Sequence, residues 1–205
     1  MKTRLERYCK CMDLLKLRID TVVQIATGKK TTGFLVPDQE LCCLQLRKSL
    51  ELIAFASISA NLEKYTELRP GFSKDWNGKR ILSTIEKINP DFYPIPIKSF
   101  QDDKGQLRFE GIKEGFLKKE DFSELYDWCG QLLHSFNPFG KNMQWKDVRQ
   151  RLIFEQTRIV TLLNQHRCVL ADSDEEIWVN MNDQGKNGKA TAYIFKKIPI
   201  GQPGV

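Results

Sequence analysis

Between residues 3 and 27 apolar side chains fall at Leu5, Tyr8, Met12, Leu15, Ile19, Val22 and Ala26, alternately three and four apart. That spacing lays one continuous stripe along an α-helix. Gly28 ends it, and Lys29 and Lys30 suit the negative end of the helix dipole. After a loop through Gly33, a second helix is predicted from Pro37 or Asp38 to about Leu68. From Leu50 to Ile58 it is apolar on nearly every side, with Ala54, Ala56 and Ser57 interleaved. A helix apolar all round is a central one covered by others, and its length would be about 45 Å at 1.5 Å per residue. Arg47 and Glu51 stand four apart on it and would pair across one turn.

Arg69-Pro70-Gly71 breaks the chain. A short third helix is expected from a cap at Ser73 or Asp75 to Ile88, stopped by Asn89-Pro90. The following DFYPIPIKSF is extended, and its prolines argue against a central strand. IPIKSF and LRFEGI flank QDDKGQ as a small exposed hairpin. Helices are predicted over Lys119–Ser135, with Leu117 and Phe122 as a hydrophobic staple, and from about Asn142 to His166. The tail changes character: RCVLA, EIWVNMN and KATAYIFKK are β-branched and aromatic runs separated by DSDE and DQGKNG. The expected fold class is therefore mainly α: a helical bundle of four to five helices over residues 1–166. A C-terminal three-stranded antiparallel β-meander over 167–205 packs on it in a single compact domain.

The 205 residues have room for a core without staples, and their composition excludes a collagen-like or wholly disordered chain. No apolar run is long enough for a membrane span, and the first twenty residues do not read as a secretory signal, so a cytoplasmic location is expected. The net charge of +6 permits a polyanionic partner. The excess is uneven. Residues 1–30 hold eight basic side chains against three acidic ones, and residues 141–167 hold six against two. Arg4, Arg7 and Lys10 on the first helix, with Arg149, Arg151 and Arg158 on the fifth, would form one nucleic-acid-binding face if the helices lie side by side. The alternative is two solvated helix surfaces.

The six cysteines read as reduced, buried thiols. Cys9 and Cys11 point to opposite sides of a helix, and neither C-x-x-C nor H-x-x-x-H occurs, so no metal site and no cofactor is expected. No P-loop, Rossmann fingerprint, G-x-S-x-G or H-E-x-x-H is present. What remains is LLHSFNPFG. His134, in the last turn of a helix, would work as a general base near neutral pH, with an RNA 2′-hydroxyl as a proton source and Asn137 beside it. Read structurally, His134 caps the last carbonyls, and Asn137 and Pro138 end the helix. His166, the second histidine, reads as a cap.

The helix LRKSLELIAFASISAN and the segment LYDWCGQLLHSFNPFG resemble the helical HEPN superfamily (higher eukaryotes and prokaryotes nucleotide-binding) over about residues 1–166. They also resemble uncharacterised bacterial proteins with a helical body and a short β tail. The resemblance implies a dimer, and either a metal-independent ribonuclease of toxin–antitoxin or phage-defence systems or an inactive scaffold. Active members carry an Arg and a His with four to six residues between them. Here Asp127, Trp128 and Cys129 precede His134 where that Arg would stand, and seven residues separate Arg158 from His166. Arg47 would have to supply the cation, with Glu51 beside it. Three functions follow: an interaction module of a bacterial assembly, working through a protein partner or self-association as a homodimer; a ribonuclease using His134; and a non-catalytic nucleic-acid binder. The first is the leading expectation.

Overall fold

The computed structural model describes residues 3–71, 74–135 and 145–196. Six helices and five strands follow in the order α1 (Arg4–Ala26), α2 (Leu35–Ala60), α3 (Leu62–Leu68), α4 (Gly78–Ile88), β1 (Ile95–Gln101), β2 (Leu107–Gly111), α5 (Lys119–Leu132), α6 (Trp145–Leu163), β3 (Gln165–Val169), β4 (Glu175–Asp183) and β5 (Lys189–Lys196). No described helix is long and apolar enough to cross a membrane.

The predicted stripe of α1 is buried at Tyr8, Met12, Leu15, Ile19 and Val22. Thr3 and Glu6 close a capping box at its start, each side chain bonding the other's backbone N–H. α2 is the central helix, packed against α1, α4, α5 and α6. Ala54 and Ala56 are fully buried along it and keep its neighbours close. It starts two residues before Pro37, because a proline in the first helical turn gives up only an N–H that has no intrahelical partner. It also stops earlier than expected. Asn61, buried and off helical geometry, turns its side chain to other segments. Its Nδ2 donates to the Ser57 carbonyl at 3.1 Å, and its Oδ1 accepts from Asn89 Nδ2 (3.2 Å) and the Ala171 amide (3.1 Å). The expected single helix is thus two, α2 and α3. Asn77, not Ser73 or Asp75, caps α4 by accepting from the Arg80 amide; Ser73 lies outside the described residues.

The expected three-stranded meander is corrected to a five-stranded antiparallel sheet in the order β2-β1-β3-β4-β5. The hairpin of β1 and β2 is not a separate piece. Ile95 pairs with Arg167 and Pro96 with His166, after which residues 97–101 pair with β2. β1 is therefore internal to the sheet despite Pro96. The ladder to β3 is only two residues long, and the Pro96 carbonyl still serves the sheet by accepting from the Ile112 amide at 3.0 Å. The strand layer accordingly draws on residues 95–111 as well as the tail. α6 ends at Leu163, and His166, expected at a helix end, lies within β3. Ile177, Val179 and Met181 face the helices, with α1 lying across β4 and β5.

Candidate functional site

Of the four residues singled out for catalysis, two come together. Arg47 Nε lies 3.8 Å from Glu51 Oε1, as their spacing on α2 predicts. Tyr126 of α5 joins them: Arg47 Nη2 donates to its hydroxyl (3.1 Å), the guanidinium lies 4.1 Å from its ring centroid, and its O–H donates to Glu51 (3.1 Å). Gly130 makes room for this cluster, since a Cβ there would collide with Arg47 Nη1. Burial, followed by the Glu51 charge, raises the Tyr126 pKa. Both members of the candidate pair are thus held by a phenol. His134 is exposed just past the end of α5, where Leu133 supplies the cap through its backbone. Among the described residues no hydrogen bond or ion pair joins its side chain to Arg47 or Glu51. Asn137 lies outside the described residues.

The other histidine is enclosed. His166 has no exposed surface, and its Nδ1 is 2.8 Å from the Leu163 carbonyl oxygen. A carbonyl only accepts, so Nδ1 carries the proton and Nε2 accepts from the Tyr8 hydroxyl at 2.8 Å. The Tyr8 oxygen is then free to accept from the Cys168 thiol at 3.1 Å. Burial lowers the His166 pKa to about 4, raises that of Cys168 to about 12 and raises that of Tyr8. This chain of groups holds α1, α6 and β3 together with its protons fixed, and none of the three side chains has appreciable contact with water.

The two basic segments do not make one face. Arg149 Nη2 donates to the Ala26 carbonyl at 2.6 Å, so the start of α6 lies beside the end of α1 and the helices run antiparallel. Arg7 is nineteen residues from Ala26 on α1, about 28 Å away at 1.5 Å per residue. The arginines of α6 also have internal work. Arg151 pairs with Glu124 (2.7 Å) and Glu155 (3.7 Å) and lies over Trp128 at 4.4 Å. Arg158 pairs with Asp121 and with Glu155 at 3.0 Å. Glu155 is buried between them, and its burial raises its pKa. These arginines tie α5 to α6.

The first-helix half of the basic set has a different setting. Arg4 and Arg7 line a cavity of about 670 Å³ between the start of α1, the α2–α3 junction and the β3–β4 turn, with Lys64 on the opposite wall. A second cavity of about 370 Å³ shares Arg7 and Leu62 with it and ends at Trp76. No family model, curated protein or solved structure matches this chain. The groove is therefore read from its own residues. Arg4 lies 3.4 Å from Glu175, and Lys64 lies 3.5 Å from Asp172. Arg7, where the cavities meet, has no hydrogen-bond or ion-pair partner for its side chain among the described residues. Lys10, one turn along α1, is exposed beyond the groove. Trp76 and Lys64 were missed by the sequence reading. The signal for Trp76 is a lone aromatic in the polar run Asp75–Gly78, outside the stripe of Ile81, Leu82 and Ile85 that buries α4.

Proposed function

We propose that this chain is a non-catalytic binding protein whose ligand is nucleic acid, held in the groove between α1 and α3. The observation that carries the reading is the Arg7 guanidinium, unpartnered among the described residues at the junction of two adjoining cavities, with Arg4 and Lys64 in the larger one. A guanidinium with its donors free suits a phosphate, and a net charge of +6 favours the approach of a polyanion. The ribonuclease alternative is less well supported, because Tyr126 engages both Arg47 and Glu51 while His134 stands apart.

The test is fluorescence anisotropy with a labelled mixed-sequence RNA oligonucleotide from about 50 to 200 mM salt. The expected result is affinity that falls with salt. Arg7→Ala should weaken binding and reduce the salt slope by about one. His134→Ala should bind as the wild type does, and the RNA should stay intact in EDTA. No binding at low salt, or an Arg7→Ala variant that binds normally, would overturn the reading.

A second reading, self-association, is favoured by the sheet face turned away from the helices. Phe109 meets Trp178 edge-on at 4.8 Å, Phe195 lies 5.2 Å from the same indole, and Tyr193 is exposed beside them. An apolar patch of this kind is a common feature of protein interfaces. Sedimentation velocity of the wild type and of Phe195→Ser would test it. A wild-type dimer that the substitution dissociates supports it, and a monomer at all concentrations rejects it.

A further inference from the structure

The groove contains a feature that charge recognition does not require. Trp76 is 73% exposed, the most exposed of the large apolar side chains among the described residues. Removing an indole from water is strongly favourable, so leaving one bare at the end of a cavity forgoes stability the chain would otherwise gain. The residue is nevertheless well anchored. On one side Asp75 is clamped by Arg69, whose Nη2 donates at 2.6 Å, and accepts from the Tyr65 hydroxyl at 3.4 Å. On the other side Asn77 caps α4. Phe55 meets the indole at 6.2 Å with the rings 87° apart. An edge-to-face contact occupies at most one face of the ring system. The backbone on either side of the indole is thus held, Ile58 and Leu62 line the same cavity, and so does Arg7, whose guanidinium is free among the described residues.

Resting on the nucleic-acid reading above, we infer that the ligand is single-stranded, with a base laid on Trp76 and an adjacent phosphate on Arg7. A duplex keeps its bases stacked on one another and has a free base face only at its ends, whereas a single strand offers one at every nucleotide. Aromatic stacking accepts any base, so the contact sets strandedness and not sequence. The charges in the groove agree with a light phosphate footprint. Arg4 and Lys64 are already matched by Glu175 and Asp172, Asp75 is matched by Arg69, and Glu63 adds a carboxylate to the lining. Among the described residues Arg7 alone of these cations is free, so binding is shared between one phosphate contact and one stacking contact.

The experiment compares a single-stranded oligonucleotide, the blunt duplex of that strand with its complement, and polyglutamate as a charge-only probe, on the full chain. The single strand should bind at least tenfold more tightly than the duplex, and polyglutamate should not displace it. Trp76→Ala should lower single-strand affinity about tenfold with the salt slope unchanged, since no charge is lost, and Trp76→Phe should recover most of it. Arg7→Ala should instead lower the slope. Tryptophan fluorescence should be quenched on binding in the wild type and not in Trp76→Ala. If single strand and duplex bind alike and Trp76→Ala changes nothing, this inference fails while the nucleic-acid reading stands. Displacement by polyglutamate also overturns it, and if neither strand form binds, both readings fail together.

Discussion

The buried imidazole of His166 makes a quantitative demand on stability. In the unfolded chain a histidine titrates near 6.5, whereas burial holds His166 at about 4 in the folded protein. Above about pH 6.5 the ring is neutral in both states and the folded state bears no penalty. As the pH falls from there towards 4, the unfolded chain takes up a proton that the folded chain refuses. Stability therefore falls on acidification, by up to about 1.4 kcal/mol per pH unit, and this contribution levels off below about pH 4. The whole effect is about 3 kcal/mol, and about 2 kcal/mol of it appears between pH 7 and pH 5. Asp38, Asp75 and Asp102 have lowered pKa values through hydrogen bonds to their carboxylates, and their contributions are lost only in more acidic solution. Glu155 runs the other way, because its raised pKa makes the folded state gain from acid. The assay is therefore a difference: urea unfolding of the wild type and of His166→Asn at several pH values from 7 to 5. The variant gives up the hydrogen bond from Tyr8 and should be less stable at pH 7 by about 1–3 kcal/mol. Its stability should lack the fall that the wild type shows. Parallel curves for the two proteins would refute the assignment of a neutral, enclosed His166.

Two further predictions concern packing and chemistry away from the groove. Asn61→Ala should cost about 3 kcal/mol by urea midpoint, because the Asn89 amide and the Ala171 N–H lose an acceptor in a buried place. A thiol reagent at neutral pH should reach only Cys9 and Cys11 in the folded protein, and slowly, because burial raises both their pKa values. Cys42, Cys43, Cys129 and Cys168 should react only after denaturant is added, and rapid labelling of four or more thiols without denaturant would contradict the packing.

Helices were legible wherever their burial is periodic. The stripe of α1 and the all-round apolarity of α2 follow from residue identity alone, and so does the existence of each strand. The union of the hairpin with the tail was not legible. It rests on Ile95–Arg167 and Pro96–His166, partners seventy or more positions apart that leave no local pattern, and the local rule for proline pointed the other way. The α2–α3 break was hidden for a similar reason, since Asn61 acts through Asn89 and Ala171. In the groove, Arg4 and Arg7 were found because charge is written in the sequence. Arg151 and Arg158 were misjudged because their partners Glu124 and Asp121 lie on another helix. Trp76 was missed because an exposed indole and a buried one are spelled with the same letter.

The polar ties of α1 reach almost entirely to the other end of the chain. Tyr8 bonds His166, Asp13 accepts from the Ala190 amide, and Lys16 donates to the Met181 and Gly188 carbonyls. Ribosomes make α1 well before these strands. Once both are made, α1 can collapse onto α2, but the flank carrying Tyr8, Asp13 and Lys16 stays bare until β3 to β5 emerge. Closure of this flank thus waits for the synthesis of β3 to β5. A premature stop before β4 would give a chain with an open flank on α1 and one edge of β3 unpaired, a species for quality control to remove and not a smaller working domain.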